Sequence, residues 1–320
     1  MFTFHSDANP SKELCERVAS LSPRNPFYAA AFVAARCAAG DQPWVLSLSA
    51  NGELMTGCTA FMSAGRLTCR VEIPSLPNLP QGDAFWEGLR EFCTDNKVTE
   101  LLVNSFSSEA AAIPSMATEV WRRPRREFIL DLADETHRKL SSNHKRNVTR
   151  AEKAGFVVRQ AADFEACREH ARLVAASTKR REDRGEKSSD PVKPETFYLL
   201  TDTGAGTIHQ AVFSGSVLSS VLVLIAARAG YYHSAGTTAE GMGLGASHFL
   251  VHRIAEGLRE LGSEQFNLGG SGVEETGLSR FKMGFGATAV ELEAARFFTG
   301  GRIKRVLMVA ARVLHGEGLG

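Results

Sequence analysis

Apolar positions in the second half of the chain alternate between a spacing near 3.6 residues and a spacing of two, which predicts helices and strands in turn. Residues 156–160 read as a short strand. Asp163 caps a helix with apolar positions Phe164, Cys167, Ala171 and Val174, and a charged stretch at 179–187 follows. Pro194 opens another helix to about residue 200. Strand-like runs at 207–213, 217–227 and 230–235 come next, the first two joined by a Ser214-Gly215-Ser216 turn. A Gly-rich loop at 240–245 then feeds a helix over 246–261, with Leu250, Ile254, Leu258 and Leu261 on one stripe and Gly262 as its C-cap. A strand at 265–268, a short helix at 276–283 and a strand at 288–292 complete the unit.

The first half repeats the order. A helix is predicted at 27–38, strands at 44–49, 54–62 and 67–73 with Asn51-Gly52 as a hairpin turn, a helix at 84–94 and a strand at 100–103. Helix, three strands, helix, strand thus occurs twice, which predicts an internal duplication of one α/β unit carrying a mixed sheet. The expected domains are 1–125 and 126–300, followed by a tail at 301–320. In that tail Ile303, Val306, Leu307, Ala310 and Leu314 form an amphipathic stripe over 302–314, expected to dock on the protein body or to lie on a membrane surface.

The two copies differ after the third strand. The second has Gly241, Gly243 and Gly245 ahead of Ala246 and Ser247 at a helix start, a pattern that presents backbone N–H groups and a helix dipole to an anion. The first has three prolines at 74–80, which remove N–H groups. The second copy is therefore the candidate donor-binding half, and the first a degenerate one that supports it or binds the acceptor. A dinucleotide-binding fold needs such a loop after the first strand of a parallel unit, whereas an antiparallel meander precedes it here.

Charge narrows the partners. The chain of 320 residues has a formal net charge of +1, yet 18 basic residues face 11 acidic ones between Arg122 and Lys187. That segment suits an anionic partner and leaves no basis for a DNA-coating protein. Six cysteines without a C-x-x-C pair point to a reducing, cytoplasmic setting rather than a disulfide framework. The N-terminus carries no secretory signal, no apolar run is long enough to span a bilayer, and His248 and His252 lack the Glu of H-E-x-x-H, so no metal site is assigned.

Three segments carry a family resemblance: Arg126-Glu-Phe-Ile-Leu-Asp-Leu followed by residues 140–155, the strand, Gly-rich loop and helix at 231–261, and Phe266-Asn-Leu-Gly-Gly270 through Phe281-Lys-Met-Gly-Phe-Gly286. In these the chain resembles the GNAT superfamily, and within it the tandem-GNAT proteins related to the Fem-type peptidoglycan aminoacyl ligases. The resemblance implies two tandem GNAT-like domains and transfer of an acyl group from an activated, phosphate-bearing donor to an amine. The donor is an acyl-CoA or carrier thioester, or alternatively an aminoacyl-tRNA. No tightly bound cofactor is implied. A non-catalytic role in cell-envelope or polysaccharide assembly is the further alternative.

Phe281-Lys282 matches a Phe-Lys pair of the Fem-type ligases, so Lys282 is expected near the reacting ester, where an ammonium would stabilise the developing oxyanion. His233 is the candidate general base, provided that its pKa lies near neutrality; Tyr231 and Tyr232 alternate faces, so one of them is expected at the cleft as a proton donor, Tyr232 being the one assigned. Lys145, Arg146 and Arg150 are expected to contact an acceptor, a tRNA acceptor arm or another anion. Lys139 and Lys153 extend that face if the helix is continuous through Ser141-Ser142. The acceptor is an amine on a small molecule or an envelope precursor.

Overall fold

The structure is a computed structural model that describes residues 2–65, 68–79, 82–109, 112–133, 139–183, 185, 192–271 and 276–300. In chain order the elements are β1 (Phe2–Ala8), α1 (Lys12–Ser20), a 3-10 turn (Pro26–Tyr28), α2 (Ala30–Ala38), β2 (Gln42–Ala50), β3 (Glu53–Ala64), β4 (Cys69–Ile73), α3 (Gly82–Asp95), β5 (Glu100–Val103) and β6 (Glu119–Asp131). Then follow α4 (Ser142–Ala154), β7 (Val157–Ala161), α5 (Phe164–Glu182), α6 (Pro194–Asp202), β8 (Gly206–Phe213), β9 (Ser216–Ala226), β10 (Ala229–Thr237), α7 (Ala239–Leu244), α8 (Ala246–Glu260), β11 (Gln265–Ser271), α9 (Thr276–Met283) and β12 (Thr288–Phe298). No helix among the described residues is long and apolar enough to cross a membrane.

The chain forms two compact units. Among the described residues, the first comprises those within 2–22, 40–125 and 292–300; the second comprises those within 23–39 and 126–291. The first has the strand order β1-β2-β3-β4-β5-β12, and the second β6-β11-β10-β9-β8-β7. In each a meander of three antiparallel strands leads to one parallel pair, β4 with β5 and β10 with β11, and an antiparallel strand lies beyond that pair. Parallel neighbours need a crossover, supplied by α3 in one unit and by α7 and α8 in the other. The repeated order read from the sequence is thus one mixed α/β topology used twice.

Local chemistry sets the element ends. Asp163 accepts a hydrogen bond from Ala166 N and starts α5, Ser141 accepts from His144 N and starts α4, and Gly155 ends α4 with a left-handed backbone. The second unit's core joins Phe128 and Leu130 of β6, Val148 of α4, Leu250 and Ile254 of α8, Phe266 of β11 and Phe285. Leu250, Ile254 and Leu258 are buried as the stripe predicts, whereas Leu261 is 83% exposed because it is the C-cap residue, past the last turn that faces the core.

Several expectations are corrected. Residues 23–39 belong to the second unit rather than the first. The Phe27 ring lies edge-on to Tyr231 at 5.1 Å, and Arg228 N donates to Pro23 O at 2.9 Å. The helix expected at 27–38 is a 3-10 turn and a shorter helix, because Pro26 and the Asn25 cap define a separate start. Phe164 is exposed, since it is the first residue of α5 and precedes the turn that packs. The Gly-rich stretch at 240–245 is mostly helical. Thr238 caps α7 by accepting from Gly241 N, and only Gly245 has a positive φ, +82°. β1 and α1 lie outside the elements expected from the sequence, although Phe2 and Phe4 alternate along β1 and α1 buries Cys15 and Val18 one turn apart. The amphipathic tail at 302–314 lies outside the described residues.

Candidate functional site

β10 and β11 pair in parallel only from Ala229 and Gln265 to Tyr231 and Asn267. β10 then carries an irregularity between Tyr232 and Ser234, at His233. Pairing ends where Gly269 and Gly270 replace side chains with bare backbone. Gly269 has φ +71°, and a Cβ there would meet Tyr232 O at 2.8 Å, so only glycine tolerates this close approach.

Lys282 enters the same place from α9. It is 4% exposed, its Nζ donates to Gly270 O at 2.5 Å, and it lies 5.5 Å from the centre of the Phe128 ring. The Tyr231 hydroxyl approaches from β10. Both that oxygen and Lys282 Nζ lie about 4 Å from the point where a Gly269 side chain would begin. Behind them sits Glu127, fully buried, whose Oε1 accepts from the Tyr231 hydroxyl at 2.9 Å and whose Oε2 accepts from Asn267 Nδ2 at 2.8 Å. Asn267 Oδ1 accepts from Gly269 N, which fixes the amide orientation. A buried carboxylate needs such donors to offset its lost hydration. Glu127 is also the register partner of Gly270, the residue that holds Lys282.

The sequence reading missed Glu127 and Asn267. Each is a polar residue inside an apolar strand pattern, and that mismatch was the available signal.

The proposed donor cradle is the junction of α7 and α8. α8 begins at Ala246 without a side-chain cap; Ala246 is fully buried and Ser247 half-buried. Two of the glycines have packing duties instead. A Cβ on Gly241 would meet Leu218 O at 2.7 Å, and one on Gly245 would meet Asn147 O of α4 at 2.5 Å. A Cβ on Gly243 would meet nothing within 4 Å, and its carbonyl accepts from Arg150 Nη1 at 3.0 Å. Arg150 therefore stands at the cradle. Arg146 is exposed and bonded to Asn143, and Lys145 is half-buried. Lys139 lies before the Ser141 cap and donates to Asp131 O, so Arg146, Arg150 and Lys153 are what remains of the expected face. Glu240 stands in the first turn of α7, where a carboxylate complements the helix dipole.

His233 is open to solvent, but the protein around it disfavours the imidazolium and lowers its pKa to about 4. Its exposure to solvent works against that lowering, since a hydrated imidazolium is less penalised than a buried one. Tyr232 is half-buried, and burial raises its hydroxyl pKa against a smaller opposing effect of Arg181. Phe281 packs with His248 at 5.0 Å, Phe285 at 5.1 Å and His144 at 5.7 Å between ring centres, so it belongs to an aromatic cluster beneath the lysine. The structure thus brings Lys282 together with Tyr231, and it seats the Phe281 ring among aromatic neighbours.

Residues 138–283 match the acetyltransferase (GNAT) domain family, a span lying wholly within the second unit. Three solved structures share the fold. FemX superposes with a TM-score of 0.66 at 13% identity, covering 88% of this chain and 95% of its own. L-PGS from Bacillus licheniformis gives 0.56 at 10% identity, covering 96% and 98%. A tandem GNAT protein from the clavulanic acid biosynthesis pathway gives 0.54 at 12% identity, covering 94% and 99%. No curated protein matches the sequence. Residues 138–283 of the second unit thus form an acetyltransferase (GNAT) domain, and the chain shares its fold with FemX and a tandem GNAT protein.

Proposed function

We propose that the second unit is an N-acyltransferase domain that takes an acyl group from a phosphate-bearing donor, an acyl-CoA or carrier thioester, and passes it to an amine. The observation that carries this reading is the parting of β10 and β11 above Tyr231 and Asn267, with a buried lysine on one side and the uncapped start of α8 beyond. The α8 amides and Arg150 would hold donor phosphates. The acceptor nitrogen attacks the acyl carbonyl and negative charge gathers on its oxygen; collapse then breaks the C–S bond of the thioester, and the proton lost by the nitrogen goes to the departing thiolate. The Lys282 ammonium, already donating to Gly270 O, is suited to donate to that oxygen instead. Glu127 and Asn267 hold Tyr231 in place beside it.

A second reading, transfer from an aminoacyl-tRNA, is favoured by the Phe281-Lys282 pair and the basic face of α4. Incubation with labelled acyl-CoA, or with charged tRNA, in the presence of candidate amines separates the two. Label appearing in the amine from acyl-CoA, insensitive to ribonuclease, supports the first reading. Transfer only from charged tRNA, abolished by ribonuclease, supports the second. Neither donor yielding product, with the protein folded, removes both. The protein's place is proposed to be the cytoplasm, where both donors occur.

A further inference from the structure

His144 is a buried histidine on the first turn of α4, and the acyl-transfer reading gives it no task. Its Nε2 lies 2.8 Å from Phe281 O, the carbonyl of the residue before Lys282. A carbonyl only accepts, so Nε2 carries the proton and Nδ1 is bare. Nδ1 in turn lies 3.0 Å from Ser141 Oγ, the only one of that pair able to donate, while Ser141 Oγ also caps the helix by accepting from His144 N. Ser141 N donates to Gly284 O at 2.8 Å, on the far side of Lys282. The start of α4 therefore grips the backbone at both sides of the lysine.

The packing leaves the ring no second position. A Cβ on Gly284 would lie 2.1 Å from the imidazole, so the ring occupies the space that glycine vacates. Phe285 meets it edge-on at 4.6 Å and His248 at 4.5 Å. His248 is the third residue of α8, so the ring sits between the donor cradle and the end of α9.

We propose that His144 is a positioning residue for Lys282: its Nε2–H grip on the Phe281 carbonyl fixes the end of α9 so that the ammonium stays seated on the Gly270 carbonyl. The inference rests on Lys282 being the working group of the proposed transfer, and its first test does not need turnover.

In the full chain, His144→Leu removes the donor and His144→Gln keeps one. Labelling of Lys282 by acetic anhydride, read by mass spectrometry relative to exposed Lys153, rises about tenfold in His144→Leu and stays near wild type in His144→Gln. Equal labelling in wild type and a folded His144→Leu overturns the proposal, as does an equal rise in both variants, which would assign the effect to ring volume. Nitrogen-15 spectra of the wild-type histidines supply a second test that survives a variant's failure to fold. The proton is expected on Nε2 of His144, and the Nδ1–H form overturns the grip. Once a donor is known, His144→Leu lowers kcat by about tenfold with the donor KM little changed. A raised donor KM with unchanged kcat would transfer the residue's role to the cradle and overturn the proposal.

Discussion

The two units share a topology and differ at one seam. In the first, β4 and β5 are paired from Arg70 and Glu100 to Ile73 and Val103, and bonding continues past the strands through Asn104 N to Ile73 O and Phe106 N to Pro74 O. The loop that follows is filled. Leu76 is fully buried, Ser108 Oγ donates to Leu76 O, and Thr56 Oγ1 donates to Asn78 O. In the second, pairing stops at Tyr231 and Asn267, a bulge follows, and the next turn leaves Gly243 and Met242 exposed. A closed seam carries stability and an opened one leaves backbone groups for a ligand. Under the proposed transfer, the two copies divide these tasks between them.

The largest effects should fall on opposite measurements. Lys282→Ala should cut transfer by about 100- to 1000-fold in protein that circular dichroism shows to be folded, a loss larger than removal of its bond to Gly270 O explains through stability. Leu76→Ala should leave transfer intact and lower stability by about 2–5 kcal/mol in denaturant titrations. Transfer surviving in the lysine variant would end the assignment, and loss of transfer in Leu76→Ala would show that the closed seam also serves the reaction.

Glycines sharpen the comparison next. Gly52 and Gly245 both have φ +82°, but a Cβ on Gly52 meets nothing within 4 Å while one on Gly245 meets Asn147 O at 2.5 Å. Gly52→Ala should cost about 1–2 kcal/mol from backbone strain alone. Gly245→Ala should cost more and should also weaken donor binding, since α4 must move from the cradle. Equal costs would mean that α4 adapts freely.

Acid should act on the second unit. Burial, then the nearby His233, lowers His170 from 6.5 to about 3; burial lowers His209 to about 4; and burial, then His144 and Arg150, lowers His248 to about 4. These groups bind fewer protons folded than unfolded, so their contribution is complete above pH 6.5 and is lost as pH falls toward 4. Melting temperature should be flat at neutral pH and decline below about 6.5. His170→Gln, which removes the titrating ring between Ser220 and Ser234, should flatten the decline. An unchanged slope would place the acid sensitivity elsewhere. The smallest effect belongs to Arg150→Ala. It should weaken donor binding by a few-fold at low salt, and the difference should shrink as salt screens an exposed charge.

Most of this architecture was legible because its strands and helices carry regular apolar periods, as in the Leu250, Ile254 and Leu258 stripe. Asp163 and Pro194 announced helix starts through cap and ring chemistry. The segment at 23–39 was misassigned because period reveals an element and not the surface it packs on; only the Phe27–Tyr231 contact shows that. Gly241 and Gly245 looked like ligand contacts, yet the space they vacate is taken by Leu218 and Asn147 backbone, which a sequence cannot display. Lys282 was found through its resemblance to a motif. Glu127 and His144 were passed over because their meaning comes from partners 104 and 137 residues away.

β12 closes the first unit against β5, and Ser105 Oγ reaches Glu293 O across 188 residues of intervening chain. During synthesis, the N-terminal copy must therefore wait with an unfinished edge while its successor emerges from the ribosome. Local contacts cannot complete it early, so a strand edge is left unpaired until a distant segment arrives, the kind of non-local closure that slows folding.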